Sequence, residues 1–354
     1  MMYSHRMSSF HPTVLDTFRF DPLEARSLKL IAACMGRQEQ FMAQTPEVLE
    51  NMRLAALVES VESSNRIEGI VTSRERMEAM VRRGSPPQNR AEEEITGYRD
   101  ALEEIHRARE KMDISESTVL RLHAFLYREQ KDTGGHWKQT ENLIVARHSD
   151  GTESVRFRPV SVKETPEAMR QWVLNLHYCR QERIEPLLAM PLLILDFLCV
   201  HPFSDGNGRV SRLLTLLLAY HYGFEVGRYI SLERVIEHSK DRYYQNLRES
   251  SQGWHEHRHD VHPWVNYFLS VLLLSYAEFE RRVQDLRNSR GDKSILVKNA
   301  VYEFLMPFTL AELRAKCPEI SAEQIRRVVR KLRADGKLLL LSRGRDAKYQ
   351  RLFK

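Results

Sequence analysis

Two apolar runs, Leu187–Val200 and Leu213–Tyr220, bracket the segment His201-Pro202-Phe203-Ser204-Asp205-Gly206-Asn207-Gly208-Arg209-Val210-Ser211-Arg212. This segment constrains the chain more than any other. Gly206 and Gly208 allow backbone conformations closed to other residues and let a ligand approach the main chain. Asn207 between them tolerates a left-handed turn. Such a turn points successive N–H groups into one concavity, a nest for an anion. Val210, Leu213, Leu214, Leu217 and Leu218 follow at helical spacing. The glycines therefore stand at a helix N-terminus, where free N–H groups and the macrodipole favour phosphate. Arg209 in the first turn and Arg212 three residues on both reach back toward a phosphate chain, and arginine suits bidentate contacts to it. Asp205 offers a carboxylate oxygen to Mg2+, with phosphate and water completing the octahedron. His201 titrates near neutrality and can take a proton from an attacking hydroxyl. Together these parts read as a site for a nucleoside triphosphate rather than as a plain helix cap and loop.

From His201 to Arg212 the segment resembles the Fic signature, His-Pro-Phe-x-[Asp/Glu]-Gly-Asn-Gly-Arg-x-x-Arg, at every fixed position. The resemblance implies a mainly α, Fic-type helical domain that moves AMP from ATP to a Ser, Thr or Tyr hydroxyl of a target protein, or of itself. It makes His201 the base and Asp205 the Mg2+ ligand. Gly206, Asn207 and Gly208 become the anion hole, and Arg209 and Arg212 hold the β- and γ-phosphates. Relatives of the death-on-curing type carry a lysine at the position of Gly208, so the glycine argues for AMP transfer over γ-phosphate transfer. A second segment, Ser63–Gly69, closes an N-terminal helical pattern of Leu49, Met52, Leu57, Val58 and Val61. It is similar to the family's inhibitory motif, [Ser/Thr]-x-x-x-Glu-[Gly/Asn], with Ser64, Glu68 and Gly69 in the fixed places. The resemblance pairs Glu68 with Arg212 and so blocks the seat of the γ-phosphate. A carboxylate and a phosphate do compete for the same guanidinium fork. Without the signature downstream, Glu68 would read as a solvated helix charge and Gly69 as a C-cap.

Leu143-Ile144-Val145 and Ser154-Val155-Arg156-Phe157 flank a turn at Ser149-Asp150-Gly151, which predicts a β-hairpin. In Fic proteins a hairpin flap at this place aligns the target by backbone pairing, with a side chain near Val155 facing the incoming segment. Strand addition tolerates varied sequences. Lys240–Leu247 resembles a Tyr-Tyr-x-x-Leu element near the adenine, which gives Tyr244 and Leu247 a place against the base. Aromatics at helical spacing also serve cores. The run Trp254–His262 holds four histidines, but its spacing is poor for one tetrahedral metal site, and a solvated polar loop before a helix at His262–Glu280 is the expectation.

From Ile295 to Lys354 there are 14 Lys+Arg and 6 Asp+Glu, so all of the chain's net charge of +6 sits in this tail. Around Arg287–Asp292 the chain reads as a linker. A helix with Val297, Val301, Phe304 and Leu305 on one face follows, then a short helix at Thr309–Lys316. A third, Ser321–Asp335, has the stripe Ile325, Val328, Val329 and Leu332. Its other face carries Arg326, Arg327, Arg330, Lys331 and Arg333. A hairpin of Lys337–Ser342 and Tyr349–Phe353 ends the chain, with Arg343-Gly344-Arg345 at its tip. This is the order of a winged helix-turn-helix, and it resembles the C-terminal domain of many bacterial Fic proteins. A basic third helix in that fold enters the major groove of DNA. Dimerisation or protein docking is the other use of such a module.

The expected organisation is an N-terminal helical region over 1–110 with the motif Ser64–Gly69, a Fic catalytic domain over 111–285 and a winged helix over 295–354. Cys34, Cys179, Cys199 and Cys317 are scattered without a CxxC pair, which suits reduced thiols in a cytoplasmic protein. Pro191 and Asp196 interrupt the longest apolar run, so no membrane span is expected. Residues Met1–His11 have no apolar core of signal-peptide type. The partners implied are a target protein, DNA through the winged helix and a second copy of the chain. The alternative function is a nucleotide-sensing, DNA-binding transcription regulator.

Overall fold

The computed structural model describes residues 8–42, 46–130, 134–147, 153–288, 293–302, 304, 307–318, 320–342, 344 and 347–352. They divide into two compact units. The first comprises residues up to Thr72 together with Ala79–Glu278, and the second Ser73–Glu78 together with Phe279–Lys354. The chain runs through α1 (Pro12–Leu15), α2 (Pro22–Met42), α3 (Pro46–Ile67), α4 (Arg74–Arg83), α5 (Arg90–Ala108) and α6 (Glu116–Leu126). Two strands follow, β1 (Ile144–Arg147) and β2 (Glu153–Phe157), then α7 (Thr165–Gln181), α8 (Pro186–Val200), α9 (Asn207–His221), α10 (Leu232–His238), α11 (Lys240–Ser251) and α12 (His262–Asn288). Helices dominate, as expected.

Helix α8 is apolar on every side, so it can only be a central helix. Every residue from Leu187 to Val200 is buried. Pro186 starts it at a position where no N–H is needed. Two indoles bond its carbonyls, Trp172 to Leu193 at 2.7 Å and Trp264 to Pro191 at 2.9 Å. Asp196 does not break the helix. Its carboxylate is wholly buried and accepts from the Ser9 hydroxyl and from Trp254 Nε1 at 2.7 Å. Burial pushes its pKa up to about 7. Among the described residues no helix is long and apolar enough to cross a membrane.

Helices α7 and α9 pack on α8, and α6 on α5 and α9. Gly97 lets α5 and α6 touch backbone to backbone; a Cβ there would lie 2.2 Å from the Phe125 carbonyl oxygen. Helix α3 packs on α5, α9 and α10. The boundary expected at residue 110 therefore does not separate two units, because α3 and α5 share one core with the helices that follow. Strands β1 and β2 pair antiparallel, with Val145 opposite Val155. Their turn, Ser149–Gly151, lies outside the described residues.

In the second unit α13 (Lys293–Tyr302) leads to β3 (Phe308–Thr309), α14 (Leu310–Lys316), α15 (Ala322–Ala334), β4 (Leu338–Leu340) and β5 (Lys348–Arg351). The strands form an antiparallel sheet in the order β3-β5-β4. Thr309 and Glu312 close a capping box on α14, and the Ser321 hydroxyl caps α15. Ile325, Val328, Val329 and Leu332 pack into a core with Val297, Phe308, Leu313, Leu338 and Tyr349. Strand β3 was not expected, because two residues carry no alternation to read. Leu305, Arg343 and Arg345 lie outside the described residues, as does the linker beyond Asn288. Arg287 and Asn288 are the last turn of α12.

Candidate functional site

The segment between α8 and α9 is folded by its own side chains. His201 ends α8 in the left-handed region, at φ 50° and ψ 60°. Gly206, at φ 80°, starts α9, a geometry that glycine adopts without strain. Asn207 ties the turn across itself. Its Oδ1 accepts from Phe203 N at 2.9 Å, and its Nδ2 donates to Phe203 O at 2.7 Å. Its buried side chain is therefore part of the loop's frame, while its backbone N–H belongs to the open first turn of α9.

His201 is half-buried. Its Nδ1 lies 3.3 Å from the Leu198 carbonyl. A carbonyl only accepts, so Nδ1 carries the proton and Nε2 keeps a free lone pair. Burial holds the ring's pKa down to about 4, so the base form prevails at neutral pH. Asp205 stands at the N-terminal end of α9 with its side chain 73% exposed. Burial works against its ionisation, but Arg209 and the Gly206 N–H, at 2.6 Å, more than offset that and lower its pKa. It is an ionised oxygen donor, which fits a hard divalent cation.

Arg212 is 2% exposed and is held by the end of α3. Its Nε donates to the Ser64 hydroxyl at 2.8 Å, and its Nη2 to the Ser64 carbonyl at 2.9 Å and to Glu68 Oε1 at 2.7 Å. Burial opposes its charge, and Glu68 more than restores it, so its pKa is raised. Its Nη1 is buried without a hydrogen-bond partner among the described residues, an open donor suited to an anion. Gly69 ends α3 at φ 79°, with Ile70 N donating to Asn65 O at 2.9 Å. It is the glycine of a six-to-one turn, and that turn sets Glu68 just past the end of α3, beside Arg212. A Cβ on Gly208 would lie 2.2 Å from Glu68 Oε1. The hollow over the glycine turn is thus filled by that carboxylate.

Arg209 does not join Arg212. It is 1% exposed, and its Nη1 donates to Glu94 Oε2 at 2.6 Å. Its Nη2 donates to the Tyr127 hydroxyl at 2.8 Å. A buried cation needs a partner, and Glu94 in α5 supplies it before any phosphate does. Tyr244 is half-buried on α11, edge-on to Tyr243 at 5.1 Å, and Leu247 is buried beside it. Val155 on β2 is 46% exposed and its cross-strand partner Val145 is 42% exposed, so the hairpin presents an apolar patch.

The four histidines of the 255–262 run go to separate partners. His255 bonds Arg158 O, His257 stacks on His11 at 4.2 Å, His259 Nε2 meets the Ser9 hydroxyl at 2.9 Å, and His262 Nδ1 meets Glu24 at 2.8 Å. The segment is only partly the solvated loop expected: His255, Glu256, Arg258 and Asp260 are exposed, while His257, His259 and His262 hold residues near the N-terminus. Sequence reasoning missed Glu94, His123, Tyr127, Lys138 and Asn142. Lys138 is buried, with its N donating to Pro202 O at 2.8 Å and its Nζ to Asn142 Oδ1 at 2.9 Å. Asn142 Nδ2 donates to Phe203 O at 3.1 Å. These two hold the His-Pro-Phe turn from the hairpin side. The pair Gly134-Gly135 ahead of them was the only signal of such a close approach.

Residues 113–219 match the family model described as the Fic/DOC family. A Fido domain-containing protein of Dictyostelium discoideum is 34% identical over 115 residues, which cover 29% of this chain and 80% of that protein. Protein adenylyltransferase fic-1 of Caenorhabditis elegans is 29% identical over 134 residues, 38% of this chain and 23% of that protein's length. Among solved structures, a Fic family protein from Desulfovibrio desulfuricans superposes with a TM-score of 0.59 at 19% identity, covering 95% of this chain and 98% of that one. A Fic domain containing signaling protein from Bacteroides thetaiotaomicron gives 0.62 at 22% identity, over 72% and 97%. With its signature loop at the N-terminus of α9 and these relatives, the chain belongs to the Fic/DOC family.

Proposed function

We propose that this chain is a protein adenylyltransferase. A Ser, Thr or Tyr hydroxyl of a target protein attacks the α-phosphorus of ATP. The new O–P bond forms as the bond to the bridging oxygen breaks, the hydroxyl proton passes to His201 Nε2, and pyrophosphate leaves. The observation that carries this is His201 itself, neutral and with Nε2 free, at the mouth of the glycine turn. Charge grows on phosphate oxygens in such a transfer, so positioning and electrostatics supply most of the rate. The N–H groups of Asn207 and Gly208 suit the pyrophosphate portion, while that of Gly206, expected to join them, is taken by the Asp205 carboxylate; Tyr244 and Leu247 suit the adenine. Asp205 is the residue that would hold Mg2+, which when bound neutralises phosphate charge. Glu68 is an internal inhibitor, since ATP must take Arg212 from it. Val155 and Val145 offer the target an apolar strand edge.

The test uses wild type, Glu68→Gly and Glu68→Gly/His201→Ala, each with ATP labelled at the α- or the γ-phosphate. Protein-bound label is expected from the α-phosphate alone, strongest in Glu68→Gly and absent from the double variant. Label from the γ-phosphate would replace the reading with a kinase-like one. A second reading, nucleotide-sensing regulation of transcription, rests on the exposed arginines of α15 in what we take to be a winged helix. A sensor needs no base, so the His201→Ala change would leave it intact, and DNA affinity would fall steeply with salt.

A further inference from the structure

The inference rests on the nucleotidyl-transfer reading and concerns how Asp205 is held. Three-quarters exposed at the mouth of a loop, a lone aspartate would sample several rotamers and bind a cation weakly. Here helix α6 reaches it twice. His123 and Tyr127 stand one helical turn apart, on one face, with ring centroids 5.0 Å apart. Both nitrogens of His123 have partners of fixed role. Gly135 N–H donates to Nδ1 at 3.0 Å, so the ring proton sits on Nε2 and is donated to the Asp205 carbonyl at 3.1 Å. The ring also stacks on Phe203 at 3.8 Å and 5°. Burial keeps it neutral, with a pKa down to about 4.

Tyr127 acts on the other end of the same residue. Its hydroxyl accepts from Arg209 Nη2 at 2.8 Å, and the same Nη2 lies 3.8 Å from Asp205 Oδ2, so Tyr127 reaches the carboxylate through Arg209. Arg209 is in turn fixed by Glu94. The main chain of Asp205 is therefore held directly by His123, and its carboxylate by Tyr127 through Arg209, all three buried far better than Asp205 itself. Neither His123 nor Tyr127 lies in the signature.

We propose that His123 and Tyr127 are positioning residues that orient Asp205 for a divalent cation on the nucleotide phosphates. Partners of this kind, one bond behind a metal ligand, change metal affinity by roughly 10- to 100-fold when removed.

The experiment measures ATP affinity by calorimetry, with Mg2+ and with excess EDTA, in the full chain carrying Glu68→Gly. Tyr127→Phe, His123→Ala and His123→Gln are added singly, with circular dichroism to check folding. Mg2+ should tighten ATP binding by the parent. That gain should shrink about tenfold in Tyr127→Phe and His123→Ala, while affinity in EDTA stays within about twofold of the parent. His123→Gln keeps a donor for the Asp205 carbonyl and should recover much of the gain. Mn2+ bound to the nucleotide complex, read by electron paramagnetic resonance, should follow the same order. An unchanged Mg2+ gain overturns the proposal, and so does an equal loss with and without metal, which marks a general structural role. A parent with tight ATP binding but no gain from Mg2+ removes this proposal and leaves nucleotide binding standing. A parent that does not bind ATP removes the underlying reading as well.

Discussion

At the scale of single residues, the site is governed by which polar groups are already satisfied. His201 spends its Nδ1 proton on Leu198 O and keeps Nε2 open. Its depressed pKa gives a pH dependence of definite sign. On the adenylyltransferase reading the neutral ring is the active form, so the rate is lost as pH falls through the folded pKa. In Glu68→Gly, kcat/KM for label transfer should stay level from pH 8 down to 5 and drop only toward about 4. Glu68 raises that pKa, so its removal moves the limb no higher. A bend near 6.5, the value for a solvated imidazole, would mean that the ring is hydrated and the desolvation argument wrong. Arg209 and Arg212 show the limit of reading such residues from the sequence. Both are signature arginines, and both look equally able to reach phosphate. Both are buried, and their partners separate them: Arg209 is paired to the buried Glu94 inside the fold, Arg212 to the partly exposed Glu68 at the mouth. Nothing in the spacing announces Glu94, because Glu92-Glu93-Glu94 in the first turns of α5 reads as the acidic start of a solvated helix. Yet Glu92 and Glu94 are buried.

Among the elements, α5, α6 and α9 do the positioning, and their spacing depends on a glycine. With a Cβ at Gly97 set 2.2 Å from Phe125 O and 2.9 Å from Leu126 Cα, the obstacle is backbone and cannot swing aside. Gly97→Ala should destabilise the first unit by about 1–3 kcal/mol or more, read as a lower urea midpoint. It should also weaken nucleotide binding, because Tyr127 follows Leu126 directly. A midpoint equal to wild type would show that α5 and α6 yield. Elements with strong local grammar were legible beforehand. Helix α15 has a Ser321 cap and a four-residue apolar stripe, the hairpin strands are bounded by turn residues, and α9 begins where the glycines said it would. What stayed hidden depends on contacts between distant segments. His123 reads as one of several polar residues on an amphipathic helix, and only the approach of Gly135 and Asp205 gives it two partners. His257 and His259 likewise gain their meaning from Ser8, Ser9 and His11, about 250 residues away in the chain.

For the molecule as a whole, four histidines of the first unit are held neutral by burial: His106 at about 3, and His123, His201 and His259 at about 4. Between pH 6.5 and 4 the unfolded chain binds protons that the folded chain refuses, so stability falls as pH falls. Asp196 acts the other way. It holds a proton when folded that it releases when unfolded, and so offsets one histidine below about pH 7. Each histidine not offset contributes a slope of roughly 1.4 kcal/mol per pH unit. The urea midpoint of the first unit should therefore drop clearly from pH 7 to pH 5, and a flat midpoint over that range would contradict the burial of these rings. One earlier contact also couples two positions far apart in the chain. The carboxylate of Glu68 occupies the volume that a side chain at position 208 would need, and as the free end of a flexible side chain it can swing aside. A residue larger than glycine at 208 would therefore move Glu68 and disturb its pairing with Arg212, so a substitution there acts on two functions at once: the anion turn and the carboxylate seated over it.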